Sequence, residues 1–329
     1  MLQYSSAIVA SVVVIVGIVA FLWQRRIGLG SRVGPYKLEE VIGEGGMGVV
    51  YRASHKHLRR PTAIKLLPRD RTSQLSIARF RREVENTSQL SHPNTIAIYD
   101  YGHAWNGAFY YAMEHLIGLT LQQVVEKHGR LGPDRAVYIL TQVCGSLQEA
   151  HDRGLVHRDI KPSNIFLCER GGLYDFVKVL DFGVAKEIDQ DYGFQTRPGV
   201  LVGTPAYAAP EMIRGAVVDR RSDLYALGAV AYYFLTGEPA FGGGSTVETL
   251  QQHLDLKPRA PTGALGPLEG LVMDCLAKSP GDRPQTAHEV IDRMGALGLS
   301  GWGPKQARDW WSRRAPFDSR ADVVPDEAG

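Results

Sequence analysis

The chain has 329 residues, more than one compact domain usually holds and enough to bury a sizeable core. Its composition, 44% hydrophobic and 22% charged with a formal charge of +2, carries no global signature of nucleic-acid or acidic-substrate binding, and no nucleic-acid partner is expected. Cys144, Cys168 and Cys275 are too few and too scattered for a disulfide framework or a zinc site, and they read as buried thiols in a reducing compartment.

No charged side chain precedes Arg25, and Ser5 to Trp23 is a run of about 19 apolar or small residues, long enough to cross a bilayer core as a helix. A cleaved signal would begin with positive charge and end at a small-residue site; here MLQY has no charged side chain and FLW is followed by QRR. An interfacial helix would need a charged face, which the run lacks. Residues 1–26 are therefore expected to be a single-pass anchor in the cytoplasmic membrane. Arg25, Arg26 and Arg32 on its far side put the N-terminus outside and the rest of the chain in the cytoplasm. The glycine-rich stretch 27–35 reads as a juxtamembrane linker.

From Tyr36 the pattern changes. Tyr36 to Ile42 and Gly48 to Ala53 read as strands flanking a glycine turn, and Thr62 to Leu67 as a third strand that carries a lysine. Ser76 to Leu90 has helical spacing and stops before HPN. Ala97 to Tyr101 and Phe109 to Glu114 add strands; beyond Leu119 helices dominate, with Asp134 to Arg153 and Asp223 to Thr236 the clearest. This order predicts an α+β molecule over 36–295, with a small antiparallel-sheet lobe, a larger helical lobe and a crevice between them near Glu114 to Gly118. The tail, 296–329, contains KQARDWWSRR, expected as a short helix, before an acidic end expected to be disordered. The Trp310-Trp311 pair reads as packing on the domain's own surface.

The glycine turn is GEGGMGVV, Gly43 to Val50. Glycines let backbone amides approach phosphate oxygens, and because Val49-Val50-Tyr51 continues as a strand, the pattern is neither a Rossmann turn nor a Walker loop. Followed by Ala63-Ile64-Lys65 on a strand, it has the form of a lid over ATP that presents an ammonium to the phosphates. An inward lysine needs a carboxylate; the following helix offers Glu83, with Glu85 as the alternative. Downstream, HRDIKPSN places Asp159, Lys161 and Asn164 in one stretch, and a strand delivers Asp181-Phe182-Gly183. In phosphoryl transfer an aspartate can deprotonate the acceptor hydroxyl and a lysine can neutralise the moving phosphate, while an asparagine and a second aspartate hold Mg²⁺. Asp159, Lys161, Asn164 and Asp181 suit those roles.

With GTPAYAAPE and GDRP also in order, residues from about Tyr36 to Met294 resemble the protein-kinase superfamily, in particular bacterial serine/threonine kinases of the eukaryotic-like type. The resemblance implies a two-lobed kinase fold using ATP and Mg²⁺ on Ser or Thr hydroxyls of protein substrates. It implies catalytic roles for Lys65, Glu83, Asp159, Lys161 and Asn164, and metal binding by Asn164 and Asp181. It further implies a nucleotide site of Ile42, Gly43, Gly45, Gly46, Gly48, Val50, Ala63, Lys65, Met113, Glu114 and Leu116, with Met113 as gatekeeper and Glu114 to Leu116 as hinge. Glu211 is expected to pair with Arg283, Asp223 to anchor the loop around Asp159, and His157 to be structural. Thr62 and Ala208 depart from the usual residues without touching the catalytic set.

Between DFG and APE only Thr196 and Thr204 carry aliphatic hydroxyls. Thr204 belongs to the GTP motif, which leaves Thr196 as the expected site of autophosphorylation in trans through self-association, its phosphate received by Arg158 and the Arg79 to Arg82 helix. Two other functions fit parts of the sequence. A pseudokinase scaffold is opposed by intact Lys65, Asp159, Asn164 and Asp181, and a small-molecule phosphotransferase by the APE and GTP segments.

Overall fold

The computed structural model describes residues 27–45, 48–58, 60–67, 74–182, 205–259 and 263–314, and gives the backbone alone at 74–79 and 83. The expected anchor at 1–26, Gly46, Gly183, Thr196, Thr204 and the end of the tail lie outside the described residues. Among the described residues no helix is long and apolar enough to cross a membrane.

The first lobe is a six-stranded antiparallel sheet ordered β1-β2-β3-β4-β6-β5. Its strands are β1 (Arg32–Val33), β2 (Tyr36–Gly45), β3 (Gly48–His55), β4 (Pro61–Leu66), β5 (Ile98–His103) and β6 (Phe109–Glu114). Alternation sorts their side chains. Tyr51, Ala53, Ile64, Tyr110 and Ala112 bury on one face, together with Val33, Tyr36 and Leu38. Across β3, β4 and β6, Val50 pairs with Lys65 and Lys65 with Tyr111, while Ala63 pairs with Met113, so these five share the other face. That face turns toward helix α1 (Gln74–Ser88), where Phe80 and Val84 pack with Leu67, Phe109 and Tyr111. Strand β1 lies in the stretch expected as a linker: Arg32 and Val33 pair with Lys37 and Tyr36, and Val33 is fully buried.

Beyond Glu114 a three-stranded sheet, β7 (Gly118–Thr120), β8 (Ile165–Arg170) and β9 (Leu173–Val179), caps the second lobe. A Cβ at Gly118 would stand 2.1 Å from the Leu167 carbonyl, so close strand pairing there excludes any side chain. The helices are α2 (Leu121–His128), α3 (Pro133–Asp152), α4 (Pro210–Ile213), α5 (Arg220–Thr236), α6 (Thr246–Asp255), α7 (Glu269–Cys275), α8 (Ala287–Gly295) and α9 (Pro304–Ser312). Thr120 with Gln123 and Ser245 with Glu248 form capping boxes that start α2 and α6, and Gly237 in the left-handed conformation ends α5. Helices α3 and α5 run through the centre of this lobe, burying Ile139, Val143, Leu147, Leu224, Val230 and Phe234. The three cysteines are free and buried, and burial raises the pKa of each thiol, as expected for structural thiols.

The lobes are tied by backbone: Val179 NH donates to the Asn94 carbonyl at 2.7 Å and Ile96 NH to the Val179 carbonyl at 3.0 Å. The strand that delivers Asp181 is thereby pinned to the segment leading into the sheet lobe.

Candidate active site

The roof of the crevice is the β2–β3 hairpin, in which Gly43 faces Val50 and Gly45 faces Gly48. Gly48 sits at φ +144°, and a Cβ there would lie 2.3 Å from the Leu66 carbonyl, so only glycine fits. Ile42 and Val50 are half-buried, Ala63 is buried, and Met113 and Leu116 border the hinge half-buried. Glu114 is buried, and its carboxylate is consumed: Lys178 Nζ donates to Oε1 at 2.5 Å, Arg170 Nη1 to Oε2 at 3.0 Å and Ala97 NH to Oε1 at 2.8 Å. The Glu114 carboxylate thereby ties the end of β6 to β8, β9 and the Ala97 segment. Lys178 is itself buried; desolvation lowers its pKa even though Glu114 opposes the shift.

Lys65 is buried on β4, and its ammonium meets the Asp181 carboxylate at 2.7 Å. The expected helix partner is not the one described: Glu83 lies on α1 with its side chain outside the described residues. Its alternative, Glu85, is engaged elsewhere, accepting from the Tyr101 hydroxyl at 2.6 Å and Arg81 Nε at 2.9 Å. The other Asp181 oxygen accepts a hydrogen bond from the Tyr111 hydroxyl at 2.9 Å. Burial alone would raise the Asp181 pKa, but the charge and hydrogen bond of Lys65, the Tyr111 hydrogen bond and the Lys161 charge together hold it below the usual carboxylate value. Burial, and then the Asp181 charge, keeps the Tyr111 phenol protonated far above its ordinary value.

The floor is built by the HRDIKPSN loop. Its geometry is set by Asp223 at the start of α5, which accepts His157 NH at 2.8 Å, Arg158 NH at 2.7 Å and His151 Nε2 at 2.8 Å. Arg158 is held at φ +65°, a conformation that costs a non-glycine residue on the order of 1 kcal/mol and that these bonds maintain. His157 is fully buried, its Nε2 2.8 Å from the Leu180 carbonyl and its ring 4.5 Å from that of Phe182. Burial lowers its pKa against the pull of Asp223 and Asp159, which keeps it neutral and structural. Asn164 donates through Nδ2 to the Asp159 carbonyl at 2.8 Å and to Oδ2 at 3.0 Å, while Lys161 Nζ lies 3.6 Å from the same Oδ2. Leu180 NH donates to the Asn164 carbonyl at 2.9 Å, joining this loop to Asp181.

The donor set fits Mg²⁺. With its amide nitrogen spent on Asp159, Asn164 keeps its side-chain carbonyl oxygen for a cation, and Asp181 supplies an ionised carboxylate. Among the described residues no group of three or more His, Cys, Asp or Glu could form an all-protein cage. A cation held by one or two protein oxygens plus substrate phosphates is the magnesium pattern.

Below the crevice, Arg283 clasps Glu211 with two bonds of 2.8 Å, and Ser222 Oγ adds a third at 2.5 Å. These contacts overcome burial and lower the Glu211 pKa. The pair is buried and holds the APE segment to the lobe.

A sequence profile of the protein kinase domain matches residues 36–293, most of the chain, and the chain belongs to that family. It is 42% identical over 271 residues to serine/threonine-protein kinase pkn3 of Myxococcus xanthus, covering 80% of this chain and 50% of that protein. It is 40% identical over 263 residues to serine/threonine-protein kinase PknB of Mycobacterium tuberculosis, covering 78% and 41%. This chain thus spans half or less of the length of these two relatives. The crystal structure of the M. tuberculosis PknI kinase domain superposes with a TM-score of 0.65 at 27% identity, covering 83% of this chain and 99% of that one.

Two residues of the site escape a reading by motif. Tyr111 resembles any core aromatic of a strand, although its place two residues before Met113 puts it on the same face. Lys178 stands one residue before the end of β9 and three before Asp181, but its buried tie to Glu114 spans 64 positions that no local pattern connects.

Proposed function

We propose that the chain is a serine/threonine protein kinase that moves the ATP γ-phosphoryl group to protein hydroxyls. The convergence of Lys65, Asp181, Asp159, Lys161 and Asn164 on one crevice carries this reading. Asp159 Oδ2 receives the acceptor's proton as the hydroxyl oxygen bonds phosphorus and the bond to the ADP oxygen breaks. Lys161, already beside Asp159, offsets charge on the transferring group. Lys65 leaves Asp181 for the phosphates when nucleotide enters, and Glu83 takes up its other side. Asn164 and Asp181 would hold Mg²⁺, which would supply charge neutralisation to the phosphates. Gly43, Gly45, Gly46 and Gly48 admit the phosphates, while Ile42, Val50, Ala63, Met113, Leu116 and the Glu114 backbone take the adenine.

The same proposal places residues 1–26 across the cytoplasmic membrane, with 27–35 joining them to a cytoplasmic kinase domain. The charge-free run before Arg25 supports it. Transient pairing of two copies leads to phosphorylation of Thr196, with Arg158 receiving the phosphate. Incubating the full chain with γ-labelled ATP, Mg²⁺ and a generic basic protein tests the activity: label on phosphoserine and phosphothreonine is expected, and label on neither contradicts it. Mapped phosphate on Thr196, and a kinase domain that survives protease added to spheroplasts, are the outcomes expected for regulation and topology.

A further inference from the structure

Asp181 is held from both sides by strand-borne donors, Lys65 Nζ on Oδ2 and Tyr111 Oη on Oδ1. Lys65 and Tyr111 are cross-strand partners on β4 and β6, so the two donors reach the carboxylate from adjacent positions on one sheet face. They are not equivalent. Lys65 ends a flexible stem and has the nucleotide phosphates as competing partners, whereas the Tyr111 ring is buried, lying 5.9 Å from the Phe80 ring, and its hydroxyl has one described bond. Asp181 itself has φ +49°, the left-handed region, a backbone conformation that its surroundings must hold.

We propose that the Tyr111 hydroxyl is a positioning group for Asp181, presetting the carboxylate that receives the nucleotide-bound divalent ion and holding it when Lys65 turns to the phosphates. The proposal rests on the reading of Asp181 as a metal ligand. Hydrogen bonds to a ligating carboxylate orient it, and removing such a partner costs about tenfold or more in metal affinity. A donor also draws charge from the carboxylate and so weakens each metal–oxygen contact slightly. Orientation is the larger effect here, because among the described residues the side-chain hydrogen bond left to Asp181 without Tyr111 is that of a mobile ammonium.

Tyr111→Phe removes the hydroxyl and keeps the ring against Phe80. Mn²⁺ binding to the full chain with ADP, followed by the electron-spin signal of the ion, is expected to weaken about tenfold. ADP binding in EDTA should stay within about twofold of the parent, a readout that a packing defect would move. Tyr111→Leu, which removes the ring as well as the hydroxyl, should lose Mn²⁺ affinity at least as far. Unchanged Mn²⁺ affinity in Tyr111→Phe overturns the proposal, and so does an equal loss of metal-free ADP binding in both variants. Asp181→Ala separates the two readings: if it binds Mn²⁺ as tightly as the parent, the metal-ligand reading fails and this proposal fails with it. If Asp181→Ala loses the ion while Tyr111→Phe keeps it, Tyr111 alone is misassigned.

Discussion

At the scale of single residues the site works by setting burial against charge. Asp181 sits where desolvation would favour its neutral form, and Lys65 at 2.7 Å reverses that preference. Lys65→Met should therefore lower ATP affinity at least about tenfold by calorimetry, since both the phosphates and Asp181 lose their ammonium. Arg283 and Glu211 form a pair more deeply buried than Lys65 and Asp181. Arg283→Ala leaves the Glu211 carboxylate buried and uncompensated, and guanidinium unfolding should show a loss of about 3–5 kcal/mol. That Asp159, Lys161 and Asn164 meet was legible because they crowd into one stretch, and the loop brings Lys161 and Asn164 onto the Asp159 carboxylate. Tyr111 and Lys178 were not, because each acts across the fold on a residue that no short pattern contains.

Among the elements, strands β2 to β6 could be read from alternation and helix α3 from its period, whereas β1 could not. Two residues inside GLGSRVGP carry no strand signal, and only pairing with Tyr36 and Lys37 makes them one. Helix α6 shows what an element contributes beyond the motifs. It packs against the short turn at Pro205–Tyr207, which begins at the last residue of the GTP motif, and it buries His253 completely. The Tyr225 hydroxyl lies 2.9 Å from His253 Nδ1 and Phe241 packs on the ring. Burial first, then the Lys278 charge, depresses the His253 pKa to about 4. The unfolded chain thus binds this proton more readily than the folded one. The contribution is present in full above the unfolded value near 6.5 and is lost as pH falls toward 4, by up to about 3 kcal/mol. Chemical denaturation should show about 2 kcal/mol of that drop between pH 7 and pH 5, and His253→Gln should flatten it; an identical drop in the variant contradicts the assignment.

At the scale of the whole molecule, the folded unit reaches past the 36–293 match at both ends. Strand β1 joins the first sheet, and α9 closes on the second lobe. There Asp175, fully buried at φ +51°, accepts Arg135 at 2.7 and 2.9 Å, Trp302 Nε1 at 3.0 Å and Trp311 Nε1 at 2.7 Å. The Arg135 guanidinium lies 3.8 Å from the Trp310 ring centre. Packing of the tryptophan pair on its own domain was legible from sequence; its target was not, since an Arg–Asp pair 40 residues apart looks like ordinary surface charge until β9 and α3 meet. Trp311→Ala should cost about 3–5 kcal/mol in denaturant unfolding, because it removes a buried ring and one donor to a buried carboxylate. In the proposed function Asp159, held beside Asn164 and Lys161, receives the proton of the acceptor hydroxyl. The most direct test is single-turnover phosphoryl transfer to a protein serine or threonine, comparing the parent with Asp159→Asn at saturating ATP. The account predicts transfer by the parent, a rate at least about a hundredfold lower in the variant, and ATP affinity within about threefold of the parent. A variant that transfers at a rate close to the parent's contradicts it.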